Sequence, residues 1–220
     1  IRDSNNSLNS SVSYSKTFRG YPSVNMSLSA SHSQNTRSNS VNLVLPTFQG
    51  SVERIYPFVK RSGQKKGILK NINMQYNFRG ENRITTTDSL FLKKEMFDDA
   101  KYGMRHSIPI STNFKVLKHL SVSMNGNYEE VWTGSTIKRN DYDSETGNSE
   151  NKVEIKGFDR FSQYNFGMGI GTTIYGLFNF KKESKIEALR HVIRPSVNYS
   201  IRPSFDEYYD TYIIDANGNT

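Results

Sequence analysis

Residues 23–33 read Ser23-Val24-Asn25-Met26-Ser27-Leu28-Ser29-Ala30-Ser31-His32-Ser33, with a small polar residue at every odd position. The even positions from Val24 to Ala30 are apolar. A strict period of two places each set on one face of an extended strand. The stretch just before it does the same: Leu8, Val12, Tyr14 and Phe18 alternate with Ser7, Asn9, Ser11, Ser13, Ser15 and Thr17. Between the two, Arg19-Gly20-Tyr21-Pro22-Ser23 has the residues of a tight turn. One hairpin is therefore legible before anything else.

The pattern recurs along the chain. Ile72, Met74, Tyr76 and Phe78 oppose Asn71, Asn73, Gln75 and Asn77; Ile108, Ile110 and Phe114 form a further set, as do Leu120, Val122, Met124 and Tyr128. Tyr164, Phe166, Met168, Ile170 and Ile174 oppose Gln163, Asn165, Gly167, Gly169 and Gly171. Weaker members lie at 41–48 and 193–203, and a helical period competes only briefly, at 183–190. The expected class is all-β and antiparallel, with about eight strands.

Two architectures use such strands, a soluble sandwich or barrel and a membrane-spanning β-barrel. A soluble sheet usually carries Lys, Glu and Thr on its wet face. Here the polar face reads as Ser, Asn and Gly, with charges gathered in connections, and Ser (28) and Asn (22) make up nearly a quarter of the 220 residues. The apolar face is rich in Tyr, Phe, Met, Leu and Ile, with Phe18, Phe78, Phe114, Tyr128 and Trp132 near strand ends. An outer-membrane barrel needs an apolar lipid-facing band, aromatic girdles and a polar lumen. It also accommodates a hydrophobic fraction of only 35%. The expectation is an antiparallel transmembrane β-barrel, with a soluble β fold as the alternative.

Other features set bounds. No apolar run approaches the roughly 18 residues of a transmembrane helix. The opening Ile1-Arg2-Asp3 lacks the form of a secretory leader, and Ala216-Asn217-Gly218-Asn219-Thr220 ends in a polar loop, so residues 1–220 are expected to be a section of one larger barrel domain. There is no cysteine, which excludes disulfides and thiolate metal sites. The net charge of +8 points to an anionic partner. If 19–23 is periplasmic, up-and-down order puts 57–70, 115–119 and 177–190 on the same side and the long polar connections 79–103, 134–157 and 204–220 outside. That is the usual asymmetry of such barrels.

Candidates for chemistry are few. His32, His106, His119 and His191 have no metal-ligand spacing and accompany no nucleophile motif. His106 and His191, beside Arg105 and Arg190, read as interfacial residues. Asp141-Tyr142-Asp143-Ser144-Glu145-Thr146-Gly147 resembles a calcium loop only faintly, since its glycine falls one place late. Neither enzyme, cofactor nor metal site is expected. Two basic clusters are candidate contacts for anionic lipid or a partner: Lys60, Arg61, Lys65, Lys66 and Lys70, then Lys181, Lys182, Lys185 and Arg190. Nucleic acid is not an expected partner, because base-reading aromatics are not interleaved with these cations.

Several stretches carry a resemblance. They are Arg54-Ile55-Tyr56-Pro57-Phe58, Asn82-Arg83-Ile84-Thr85-Thr86-Thr87-Asp88, Arg105-His106-Ser107-Ile108-Pro109-Ile110-Ser111, Gly157-Phe158-Asp159-Arg160-Phe161, and the run from Arg190 through Pro195 to Ser200. Together they resemble the lipopolysaccharide-assembly barrel family LptD (OstA or Imp), of the Bacteroidetes type. The resemblance implies a very large barrel in the cell outer membrane, preceded by a periplasmic jellyroll that this segment does not contain. It further implies an LptE-like lipoprotein plug in the lumen, delivery along a periplasmic lipopolysaccharide bridge, and lateral release into outer-membrane lipid. A passive porin or nutrient-receptor barrel is the alternative function.

Overall fold

The computed structural model describes residues 6–60, 63, 67–117, 119–145, 147, 152–180 and 187–219. The first seven strands run β1 (Ser7–Phe18), β2 (Val24–Asn35), β3 (Ser40–Ile55), β4 (Asn73–Thr87), β5 (Lys101–Val116), β6 (Leu120–Arg139) and β7 (Lys152–Gly171). Three short ones follow, β8 (Ile174–Asn179), β9 (Ala188–Ile193) and β10 (Ser196–Ile201). A single eight-stranded sheet has the order β1-β2-β3-β4-β5-β6-β7-β10, and β8 pairs with β9. Every pairing is antiparallel. The protein is all-β, as the alternation predicts. The sheet does not close on itself, so β1 and β10 are its two edges.

Registers follow the side chains. β1 and β2 pair without interruption from Ser7↔Asn35 to Phe18↔Val24, so all their serines but Ser10 share one face and their apolar residues lie on the other. In β3 the register shifts between Val44 and Thr47, around Pro46. A proline has no N–H to give to a ladder and is tolerated at such bulges. A second shift falls between Thr133 and Ser135 on β6, opposite Gly157, whose φ of +153° is poorly open to other residues.

The strands are longer than the alternation alone suggests. Segments 79–103 and 134–157, expected as connections, are partly strand: β4 continues to Thr87, β5 begins at Lys101, β6 reaches Arg139 and β7 begins at Lys152. Beyond an apolar band both faces meet water or loops, so backbone pairing persists after the polarity alternation has stopped. The predicted 193–203 strand is divided at Arg194-Pro195, and of 177–190 residues 177–179 belong to β8 and 188–190 to β9, with 181–186 outside the described residues. The β8–β9 pairing continues the β7–β10 pair in the same register, with Gly171↔Ser196 followed by Ile174↔Ile193, and the Thr172 N–H donates to the Pro195 carbonyl at 3.1 Å. The faint helical period therefore gives way to strand from Ala188, its earlier part, 183–186, lying outside the described residues.

The two faces differ in shape as well as chemistry. In a barrel wall the polar face is the inner, concave one; on it a cavity of about 580 Å³ is lined by Ser15, Asn25, Gln49, Asn77 and Arg105, polar-face residues from five successive strands. The convex face carries the apolar set. On it an unbroken chain of rings crosses β3 to β7, Phe48–Phe78 (5.1 Å), Tyr76–Phe78 (5.9 Å), Tyr76–His106 (6.0 Å), His106–Trp132 (4.3 Å) and Trp132–Phe158 (6.1 Å). From Leu120 to Trp132 on β6, at about 3.3 Å per residue, the apolar stripe is about 40 Å long, or roughly 28 Å when tilted by about 45°. That matches the roughly 25 Å apolar band of outer-membrane barrels.

Only one buried apolar cluster forms among the described residues: Val41, Leu43, Ile84 and Met96, with Ala100 against it. Met96 belongs to a short helix, α1 (Lys94–Asp98), which folds the β4–β5 connection back over the convex face at the far ends of β3 and β4. Elsewhere Val12, Tyr14, Leu28, Ile110, Phe166, Val197 and Tyr199 lie exposed on that face. So extensive an exposed apolar surface marks a face that meets lipid or a protein partner rather than bulk water.

Candidate functional site

The concave face is built from the odd-numbered residues of most strands, and its character changes along them. Near the 19–23 and 117–119 turns it is a neutral lattice. Ser111 Oγ donates to Asn73 Oδ1 at 3.0 Å, Asn73 Nδ2 to the Ser111 carbonyl at 2.9 Å, Ser107 Oγ to Asn127 Oδ1 at 3.0 Å and Thr17 Oγ1 to Asn25 Oδ1 at 2.7 Å. Gly169 keeps space there, since a Cβ would come within 2.7 Å of Asn198 Oδ1. Hydroxyls and amides of this kind both donate and accept, which suits contact with the hydroxyls of a saccharide.

Toward the other end the face becomes charged. Arg79 donates to Glu81 from Nε at 3.2 Å and from a terminal nitrogen at 2.9 Å, and Arg83 takes the other Glu81 oxygen at 2.9 Å. One strand over, an Arg105 terminal nitrogen donates to Glu129 Oε2 at 2.5 Å. Gln163 Nε2 donates to Glu129 Oε1 at 2.8 Å, and Arg202 donates to Gln163 Oε1 at 2.8 Å. A ladder thus runs Arg105–Glu129–Gln163–Arg202 across three strands and the segment after β10. A second cavity, of about 590 Å³, includes Arg79, Arg83, Lys101 and Arg105 in its lining and shares Arg79 and Arg105 with the first. The two form one trough, neutral at one end and cationic at the other.

These charged residues were not expected within strands. Arg79, Glu81 and Arg83 fall in 79–103, a segment where the apolar half of the alternation stops, yet they keep the odd parity of Asn73, Gln75 and Asn77. Parity carried past Phe78 was the available signal.

On the convex side the aromatic chain holds a polar knot. Glu130 accepts Tyr128 Oη at 2.6 Å and Trp132 Nε1 at 2.5 Å, with Arg160 at 3.8 Å, while Tyr76 Oη and His106 Nδ1 share a 2.7 Å bond. Tyr, Trp and Arg in such a row suit a membrane–water boundary, where a ring meets lipid and its polar tip meets water. His106 sits in this row, in line with the interfacial reading.

The basic clusters are placed in part. Lys60 is exposed after β3, Lys70 is exposed in a one-turn 3-10 helix (Leu69–Asn71), and Arg190 on β9 lies 4.8 Å from the Tyr175 ring centroid. Arg61, Lys65, Lys66, Lys181, Lys182 and Lys185 lie outside the described residues. Of the described members, Lys60 and Lys70 lie between β3 and β4 and Arg190 on β9, so β5 and β6 stand between them in the strand order. In the 141–147 segment Asp143 accepts the Glu145 N–H within a local turn and Asp141 accepts the N–H of the distant Ile213, so both carboxylates serve backbone donors; Thr146 is outside the described residues. No group of metal-ligating side chains occurs among the described residues.

An antiparallel meander with an apolar convex face, a ring girdle and a polar concave trough defines the class: a section of an outer-membrane-type β-barrel wall. The sequence pattern of the family described as LptD protein matches residues 2–220, and the chain belongs to that family. It is a family of lipopolysaccharide transport and assembly at the outer membrane, and of transport proteins rather than enzymes. No curated protein and no solved structure matches the chain.

Proposed function

We propose that this chain forms part of the wall of an outer-membrane translocon that inserts lipopolysaccharide into the outer leaflet through a laterally opening β-barrel. The carrying observation is the contrast between the faces, apolar and ring-girdled outside, polar and trough-shaped inside. An amphiphile with a large saccharide and several acyl chains needs both surfaces at once. Its sugars would travel against the Ser/Asn/Gly lattice, where hydroxyls exchange water hydrogen bonds for side-chain ones at little net cost. Its acyl chains would leave between two strands into the bilayer that the convex face already contacts.

In this reading residues 1–220 belong to one larger barrel domain, and the rest of the wall flanks β1 and β10. Lipopolysaccharide arrives over a periplasmic bridge, and an LptE-like lipoprotein occupies part of the lumen. The end bearing the 19–23 and 117–119 turns faces the periplasm. Lys60, Arg61, Lys65, Lys66, Lys70, Lys181, Lys182, Lys185 and Arg190 would there meet anionic headgroups or a partner.

The test is depletion of the full-length protein in its native host. Loss of newly made lipopolysaccharide from the cell surface, with its retention inside, is the expected result. Normal surface lipopolysaccharide together with loss of small-solute uptake would overturn the proposal in favour of a passive porin or nutrient receptor.

A further inference from the structure

Residues directly opposite on one face of an antiparallel pair bring their Cβ atoms within about 5 Å, and like charges there repel. The concave face of β4–β5 holds two such pairs, Arg79 opposite Arg105 and Arg83 opposite Lys101. Between them Glu81 stands opposite Gly103, so one side of that row has no side chain. The result is a notch over Gly103 with cations at both ends, inside the 590 Å³ cavity that these residues line.

The carboxylates nearby do not neutralise it. Both Glu81 oxygens are taken by Arg79 and Arg83, and Glu129, whose side chain is only 10% exposed, is held by Arg105 and Gln163. Among the described residues the four cations make ion pairs with these two carboxylates alone, and Lys101 makes none. The arginine side chains stay 57%, 61% and 62% exposed for Arg79, Arg83 and Arg105, with donors left to offer. A protein that needed only a smooth wall would place Ser or Asn here, as it does in β1 and β2.

Resting on the transport reading above, we propose that the Gly103 notch is an anion subsite of the trough. It takes a phosphate or carboxylate substituent of the passing saccharide, through the forked donors of Arg79, Arg83 and Arg105 and the Lys101 ammonium. Neutral lattice on one side and cations on the other would orient an acidic sugar as it moves. Contact in so wet a trough is weak and quickly exchanged, as passage requires.

The test uses full-length protein in native outer membranes, with a photo-crosslinking residue at Thr133, which lines the same cavity. A second probe goes at Ser123, in the neutral lattice. Lipopolysaccharide should crosslink at both, and R83Q/K101Q should lower the Thr133 yield at least fivefold while leaving Ser123 unchanged. Host strains whose lipopolysaccharide lacks either sugar phosphates or acidic sugars tell which substituent is held. If the double variant fails to assemble, inorganic phosphate added to unmodified vesicles should lower the Thr133 yield more than chloride at equal ionic strength. A Thr133 yield indifferent to these charges and to phosphate overturns the subsite, as does crosslinking there to protein alone. Absence of lipopolysaccharide adducts at Thr133 and Ser123 together would overturn the transport reading itself.

Discussion

The β1–β2 and β4–β5 hairpins belong to one sheet and obey different rules. β1–β2 pairs residue for residue without a break, small polar residues against small polar residues inside and, at Val12↔Ala30, Tyr14↔Leu28 and Phe18↔Val24, apolar against apolar outside. β4–β5 is interrupted between Met74↔Ile110 and Asn77↔Ser107, where Pro109 sits, and it sets arginine against arginine. The first is what a barrel wall looks like when only folding is at stake. The second breaks the pairing rules twice, once at Pro109 among the neutral lattice and once where Arg79 meets Arg105 at the cationic end of the trough. Departures from a regular pattern that persist in a fold mark the places where something other than stability is served.

The comparison breaks most directly at the faces. Leu28→Arg puts a charge in the middle of the convex apolar face and should cost about 2–4 kcal/mol, whereas Ser29→Arg on the concave face should cost under about 0.5 kcal/mol. Urea unfolding of the full-length protein in liposomes measures both, and equal effects would remove the inside–outside assignment. Glu129→Gln strips the carboxylate from the Arg105 ladder and should lower stability by about 2 kcal/mol in the same assay. No counterpart to that loss exists in β1–β2, where no side chain is held by an ion pair.

Smaller effects sharpen the picture. Gly50 lies beneath the Phe78 ring, where a Cβ would come within 2.1 Å of Cε1, so Gly50→Ala should cost about 1–2 kcal/mol. Gly126, with its nearest contact at 3.4 Å, should accept Ala with less than half that penalty. Hydrogen exchange should find the Gln75 and Tyr76 amides opening about tenfold more readily than those of Ser27 and Leu28, because Pro109 withholds an N–H from the seam. The smallest effect is local. The Asn219 side chain first, then the Asn219, Asn217 and Gly218 backbone amides, hold the Asp215 carboxyl below its usual range. That turn is therefore fully formed above the ordinary carboxylate pKa and loosens as pH falls through the depressed value. The Asn219 amide shift in a pH titration checks it.

The alternation made most of this legible. Seven stretches of alternating residues predicted strands that exist, and the turn at 19–23 fell where expected. The outer portions of β4, β6 and β7 were not legible, because alternation records the environment on the two sides of a strand and not the strand itself. Once both sides meet water or loop, charge appears on either face and the pattern resembles a connection. The charged ladder was hidden for that reason, since its arginines fall where the apolar partners of the alternation have thinned out. The α1 packing on Val41, Leu43 and Ile84 was hidden for another: five residues are too few to show a period.

The sequence by itself determined that the chain is antiparallel β, that one face is apolar and the other small and polar, and that no cysteine chemistry is involved. These are properties of residue type and parity, which are local. Only the tertiary structure decided that polar residues of five strands line one cavity, that a single aromatic girdle joins five strands, and that Arg79, Arg83, Lys101 and Arg105 surround one glycine position. Register brings together residues separated by 18 positions or more, and no window of sequence records how strands align across the hydrogen-bond ladder.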